Sequence, residues 1–136
     1  MKCIAIESTA HTFSCAVVED NKILNEEREM YKVKDWGIVP NKCAEFLKSV
    51  KDKVIKKAIS GHKNFDFVSF SQGPGMPLSL YVGLHAAKDL AKKFKIPLVG
   101  VNHLVSHLEI GLIECSVKDP VFILATGANT QIIAME

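Results

Sequence analysis

The sequence predicts an α/β fold, a sheet opened by three antiparallel strands and extended by parallel ones with helices between them. Three observations carry this. Lys2 to Met30 reads as three short strands parted by polar turns. Asn41 to Phe94 holds two stretches with helical periodicity around an apolar run. A second apolar run, Pro97 to Val101, then leads into two histidines four residues apart, His103 and His107. Alternation of short strands with helical segments is the signature of parallel crossovers.

Lys2 to Glu7 is apolar enough for a buried strand, and Thr12 to Glu19, rich in Val, Cys and Ala, for a second. Ser8-Thr9-Ala10-His11 is a tight polar turn between them. Glu19-Asp20-Asn21-Lys22 makes the next turn, and Ile23 to Met30 a third, more polar strand, which completes a meander. Tyr31 to Pro40 has no period and contains Gly37 and Pro40, so it reads as a loop. From Asn41, Ala44, Leu47, Val50, Val54 and Ala58 recur at three and four, and Gly61 is expected to end that helix. Its other face carries Lys48, Lys51, Lys53, Lys56 and Lys57, a pattern expected to be solvated, with an RNA or partner surface as the alternative.

Phe65 to Ser71 predicts a fourth strand running into the stiff loop Gln72-Gly73-Pro74-Gly75-Met76-Pro77. Leu80, Leu84, Ala87, Ala91 and Phe94 mark a long helix, and Pro97 to Val101 a fifth strand. Strand, helix, strand implies a right-handed parallel crossover. A helix starting at Asn102 puts His103 and His107 on one face, one turn apart. Two imidazoles so placed can share one metal ion; alternatively one packs and the other is solvated. Asn102 is a favourable N-cap, and the positive helix end favours the neutral imidazole that binds metal. The helix continues to about Cys115. Val121 to Ala125 and Gln131 to Met135 then flank the turn Thr126-Gly127-Ala128-Asn129-Thr130.

The 136 residues suffice for one cored domain or part of a larger one. A net charge of +2 permits nucleic-acid binding without demanding it. No run is long enough to cross a membrane and no targeting segment is evident, so a cytoplasmic protein is expected. Cys3, Cys15, Cys43 and Cys115 lack a Cys-x-x-Cys pair and read as buried thiols in a reducing compartment.

Meander, helix, strand, helix, strand, helix is the element order of one lobe of the actin-like ATPase architecture shared with sugar kinases and chaperone ATPases, and related to the ribonuclease H fold. On that reading residues 1–119 form the lobe and residues 120–136 the opening hairpin of a second lobe, absent from this chain and in need of a partner surface.

Several stretches, in order along the chain, resemble the universal tRNA threonylcarbamoyltransferase family, catalytic subunit of the archaeal and eukaryotic KEOPS complex, formerly described as a glycoprotein endopeptidase. They are Ile6-Glu7-Ser8-Thr9-Ala10-His11-Thr12, Ser71-Gln72-Gly73-Pro74-Gly75, Pro97 to His107 with Glu109-Ile110-Gly111, and Lys118-Asp119-Pro120-Val121 through Gly127-Ala128-Asn129-Thr130-Gln131. The Ala-His-Thr wording is closer to the archaeal and eukaryotic branch. The resemblance implies a two-lobe enzyme of about twice this length. It implies one iron or zinc ion between the lobes, and transfer of threonylcarbamoyl from its adenylate to the adenosine 3′ of the anticodon. Partners would be tRNA and KEOPS-type kinase and small dimerisation subunits.

The same resemblance implies metal ligation by His103 and His107. Substrate phosphate would be bound around Leu124, Ala125, Thr126, Gly127, Ala128 and Asn129, with Thr9 and Thr12 as weaker phosphate-loop candidates whose alternative role is turn chemistry. No residue is assignable as a general acid or base. The chain departs from the family pattern at four places. Leu124 stands for a tyrosine ligand, Ala128 for a phosphate-turn glycine, Tyr81 for an arginine and Val39 for a histidine. Two histidines alone should bind metal weakly, and Ala128 resists positive φ where phosphate would approach. A helical zinc protease is excluded on residues: Leu104 occupies the place of the catalytic Glu, and Glu109 is displaced around the helix. Two further readings stand beside the transferase. One is a shortened non-catalytic member acting as an interaction subunit; the other is a nucleotide-binding lobe of the sugar-kinase type, which gives the histidine pair no role.

Overall fold

A computed structural model describes residues 1–33, 37–115, 120–126 and 129–134. The chain divides into two compact units, Met1–His103 and Leu104–Glu136. The first is built on a five-stranded sheet. Strands β1 (Lys2–Glu7), β2 (Thr12–Glu19) and β3 (Lys22–Met30) form the expected meander, followed by helix α1 (Pro40–Ala58), strand β4 (Phe67–Gly73), helix α2 (Pro77–Phe94) and strand β5 (Leu98–Asn102). The spatial order is β3-β2-β1-β4-β5. β1 pairs antiparallel with β2 and parallel with β4, and β4 parallel with β5. This order, with one crossover helix between each added strand, is that of an actin-like ATPase lobe.

The core lies between one face of the sheet and the two helices. Alternation along β1 and β2 sends Ile4, Ile6, Phe13, Cys15 and Val17 inward to meet Cys43, Leu47, Val54 and Ala58 of α1 and Ala86, Ala87 and Leu90 of α2. Both helices start with proline in the first turn, where its missing N–H costs nothing. α2 ends at Lys95 in the left-handed region, φ 57°.

Several expectations shift. β4 begins at Phe67 and not at Phe65, because the Asp66 N–H bonds to the Lys2 carbonyl and its carboxylate to the Lys2 N–H, capping the β1–β4 pair. α1 stops at Ala58, with Ile59 as its cap, and not at Gly61; Gly61 supplies the positive φ (81°) of the turn that follows. On α2 the most buried positions are Ser79, Gly83, Ala86, Ala87 and Leu90. The helix therefore presents its small residues to the sheet, and Leu80 and Leu84 lie toward one edge. The lysine face of α1 is not merely solvated: Lys53 and Lys57 bridge to Glu29 and Glu27 of β3 at 2.9 and 3.7 Å. Of the cysteines only Cys15 and Cys43 are buried; Cys3 is half-buried and Cys115 exposed.

The second unit contains helix α3, which runs His103–Cys115 from the end of the first unit, and a two-stranded antiparallel hairpin, β6 (Val121–Thr126) and β7 (Asn129–Ala134). Ile123 pairs with Ile132, and Val121 with Ala134, which lines one hairpin face with exposed apolar side chains. Phe122, which points the other way, packs against Gly111, where an added β-carbon would stand 3.4 Å from the ring.

Candidate functional site

Parallel strands end at the same side of a sheet, and ligands of open α/β folds bind beyond those carboxyl ends. Here β1, β4 and β5 deliver Glu7, Ser71 and Asn102-His103 to that side. The register fixes this: Ile6 lies beside Phe70, which puts Glu7 next to Ser71, while Ser71 lies beside Val101. A slip of one residue would turn Glu7 to the opposite face.

The result is a polar cluster centred on the Glu7 carboxylate. Oε1 accepts the Thr9 backbone N–H at 2.6 Å. Oε2 accepts the Ser71 hydroxyl and faces His103 Nδ1 at 3.3 Å. The other ring nitrogen, Nε2, lies 3.5 Å from the Thr9 hydroxyl. Burial works to push the Glu7 carboxyl up. The donors from Ser71 and Thr9, together with the neighbouring His103 ring, outweigh it and hold the group below the ordinary glutamate value.

Thr9 is pinned from two sides. Its carbonyl accepts the Met76 N–H at 2.7 Å, which ties the β1–β2 turn to the Gly-Pro-Gly loop. The loop can come so near only because residue 75 is glycine: a β-carbon there would lie 2.5 Å from the Thr9 carbonyl oxygen. Beneath it, the buried Ser8 hydroxyl donates to the Ser79 carbonyl at 2.9 Å, and Gly83 leaves room for that side chain. Close backbone approach, which glycine permits, is thus realised at Gly75 against Thr9.

The residues singled out in the sequence distribute as follows. His103 and Thr9 come together. Thr12 sits in β2 opposite Met30, away from that contact. His107 lies in α3, within the second unit. Leu124 and Ala125 lie in β6, and Thr126 and Asn129 end the paired strands of the hairpin, while Gly127 and Ala128 lie outside the described residues. Asn102 is the last residue of β5 and immediately precedes α3. Val39 precedes α1 without a side-chain capping bond. Tyr81 is exposed and, with Phe70, Pro77, Leu80 and Leu84, lines an apolar cavity of about 350 Å³ that also reaches Ser71 and Gln72. Glu7 was missed as a site residue. Its one signal in the sequence was a carboxylate at the polar end of an apolar strand.

Among the described residues no three His, Cys, Asp or Glu side chains cluster as a metal group would need, and Leu124 has no donor atom. His103 has the Glu7 carboxylate at one ring nitrogen, the kind of partner that would orient an imidazole for ligation through the other. His107 belongs to the second unit, and the described residues do not complete a metal site. No helix among the described residues is long and apolar enough to cross a membrane, which says nothing of β-barrels.

The fold and the cluster at its strand ends define one lobe of an actin-like ATPase fold. Comparison agrees: YeaZ from Pseudomonas aeruginosa superposes with a TM-score of 0.66 at 11% identity, covering 98% of this chain and 66% of that one. Residues 20–136 match the tRNA N6-adenosine threonylcarbamoyltransferase family, and the chain belongs to it. It is 42% identical over 135 residues to a probable bifunctional tRNA threonylcarbamoyladenosine biosynthesis protein of Thermoplasma volcanium, covering 96% of this chain and 26% of that protein. To the tRNA N6-adenosine threonylcarbamoyltransferase of Nanoarchaeum equitans it is 39% identical, covering 99% of this chain and 44% of that enzyme. The chain thus spans between about a quarter and under half the length of these relatives.

Proposed function

We propose that the chain is the N-terminal part of a tRNA N6-adenosine threonylcarbamoyltransferase. In this reading it supplies one wall of a cleft in which threonylcarbamoyl passes from its adenylate to the adenosine 3′ of the anticodon. The observation that carries it is the joining of Glu7, Thr9, Ser71 and His103 at the strand ends of a lobe whose sequence belongs to that family. In this reading residues 1–119 would belong to the lobe and residues 120–136 would open a second one; the exposed apolar face of the hairpin supports a covering partner.

His103 and His107 would hold one iron or zinc ion, with further donors from the second lobe. When bound, the ion would act as a Lewis acid on the threonylcarbamoyl carbonyl. The chain's own residues orient and hold. Glu7 and Thr9 set the His103 ring, Gly75 brings the Gly-Pro-Gly loop onto Thr9, and residues 124–129 would bind the adenylate phosphate through backbone N–H groups. Thr9 and Thr12 are secondary candidates for phosphate contact. The reading places the protein in the cytoplasm with tRNA and KEOPS-type kinase and dimerisation subunits.

The test is to read the coding sequence downstream of Glu136, produce the full product, and measure threonylcarbamoyl-adenosine in tRNA by nucleoside mass. Modification that His103→Ala abolishes supports the reading; modification indifferent to His103→Ala removes the metal role. A second reading, a non-catalytic interaction subunit of the same complex, is favoured by Leu124 and by the incomplete donor set. A full product that binds the partner subunits but transfers nothing would establish it.

A further inference from the structure

We infer that Glu7 is a positioning residue for His103: its carboxylate fixes the ring as the Nδ1–H tautomer and thereby makes Nε2 the electron-pair donor. A neutral imidazole has one N–H and one acceptor nitrogen, and the partner of one decides the chemistry of the other. Glu7 and Thr9 face the two nitrogens of this ring. At Nδ1 stands Glu7 Oε2, at 3.3 Å. At Nε2 stands the Thr9 hydroxyl, at 3.5 Å, which either donates or accepts. A carboxylate only accepts, so the proton belongs on the nitrogen facing it, while the Thr9 hydroxyl, whose proton can turn to the Glu7 carboxylate or to Nε2, does not dictate the tautomer.

The carboxylate is itself held. Thr9 N–H occupies Oε1 and the Ser71 hydroxyl occupies Oε2, so the group is fixed in plane by two donors from different segments. Ser71 lies 64 residues from Glu7 and His103 lies 96 residues away, so this is a tertiary assembly and not turn chemistry. Glutamine cannot replace it. An amide that offers oxygen to His103 and Ser71 turns its NH2 onto the Thr9 N–H, donor against donor.

The functional use of the tautomer rests on the metal reading above, and the experiment separates the two. The chain, labelled with nitrogen-15 in histidine and free of metal, is observed by NMR at about pH 8, where an unperturbed imidazole is neutral. The expected result is Nδ1–H for His103 in the wild type, loss of that preference in Glu7→Gln, and its retention in Thr9→Val. An Nε2–H ring in the wild type overturns the inference, as does a wild-type pattern in a folded Glu7→Gln. A change of tautomer in Thr9→Val assigns the ring to Thr9 and also overturns it. The wild-type and Thr9→Val spectra decide the matter even where Glu7→Gln does not fold.

Zinc alone is then titrated into the same samples. A carboxylate of this kind is worth about tenfold to a hundredfold in metal affinity, so Glu7→Gln should weaken zinc binding by that factor. A wild type with the Nδ1–H ring and no measurable zinc binding would leave the positioning role standing and remove the metal reading.

Discussion

At the residue scale, Glu7 does most to organise the site. Its folded-state pKa is lowered, with burial opposing and the Ser71, Thr9 and His103 contacts prevailing. A lowered carboxyl pKa contributes stability above the unfolded value, about 4.3, and that contribution is lost as pH falls through the lowered folded value. Melting curves taken down the acid range should show wild type losing its advantage over Glu7→Gln below about pH 4. An advantage that stays constant into acid would contradict the lowered value. Gly75→Ala places a β-carbon 2.5 Å from the Thr9 carbonyl oxygen, a backbone atom that cannot swing aside. We expect a loss of about 1–3 kcal/mol in denaturant unfolding. An unchanged midpoint would mean that the loop has room the present geometry denies it.

At the element scale, helix α1 is fastened by its apolar stripe far more than by its charges. Leu47 is fully buried against the sheet, and Leu47→Ala should cost about 2–5 kcal/mol by urea titration. The Lys53–Glu29 and Lys57–Glu27 pairs lie at the surface, where salt screens them. Raising the ionic strength should therefore leave the unfolding midpoint nearly unchanged; a large salt effect would point to a charge network of greater weight. The cysteines report on the same elements. Burial pushes the Cys15 thiol up to about 12, and Cys43 is buried on the inner face of α1, whereas Cys115 at the end of α3 is exposed. A thiol reagent applied to the native chain should label Cys115 first and reach Cys15 and Cys43 only on unfolding. Peptide mass mapping checks the order. The element pattern itself was legible from the sequence, since apolar periods of two and near four are local properties of each segment. Ends were less legible. The start of β4 is set by Asp66 bonding to Lys2, a contact between residues far apart in sequence, and the end of α1 by backbone bonds of Ile59 to the turn before it.

At the scale of the whole molecule, the class of fold, the family and the spacing of the two histidines are already legible in the order of residues. Each of these rests on residue types in a local order, which survives without coordinates. The same order also marked Gln72 to Pro77 as a stiff loop, because proline restricts the chain locally. The company His103 keeps is a matter of tertiary structure. Strand register sets Glu7 beside Ser71, and the end of β5 brings His103 to both. No period or motif encodes such a meeting, because it depends on which strands pair and in what phase. Thr9 and Thr12 illustrate the difference. Both hydroxyls lie near one turn in the sequence, yet Thr9 is buried against the loop and the His103 ring, while Thr12 is spent in the β2–β3 ladder. A hairpin turn separates them by only three residues, and the alternation of side chains along the strand that follows sends them to different neighbours.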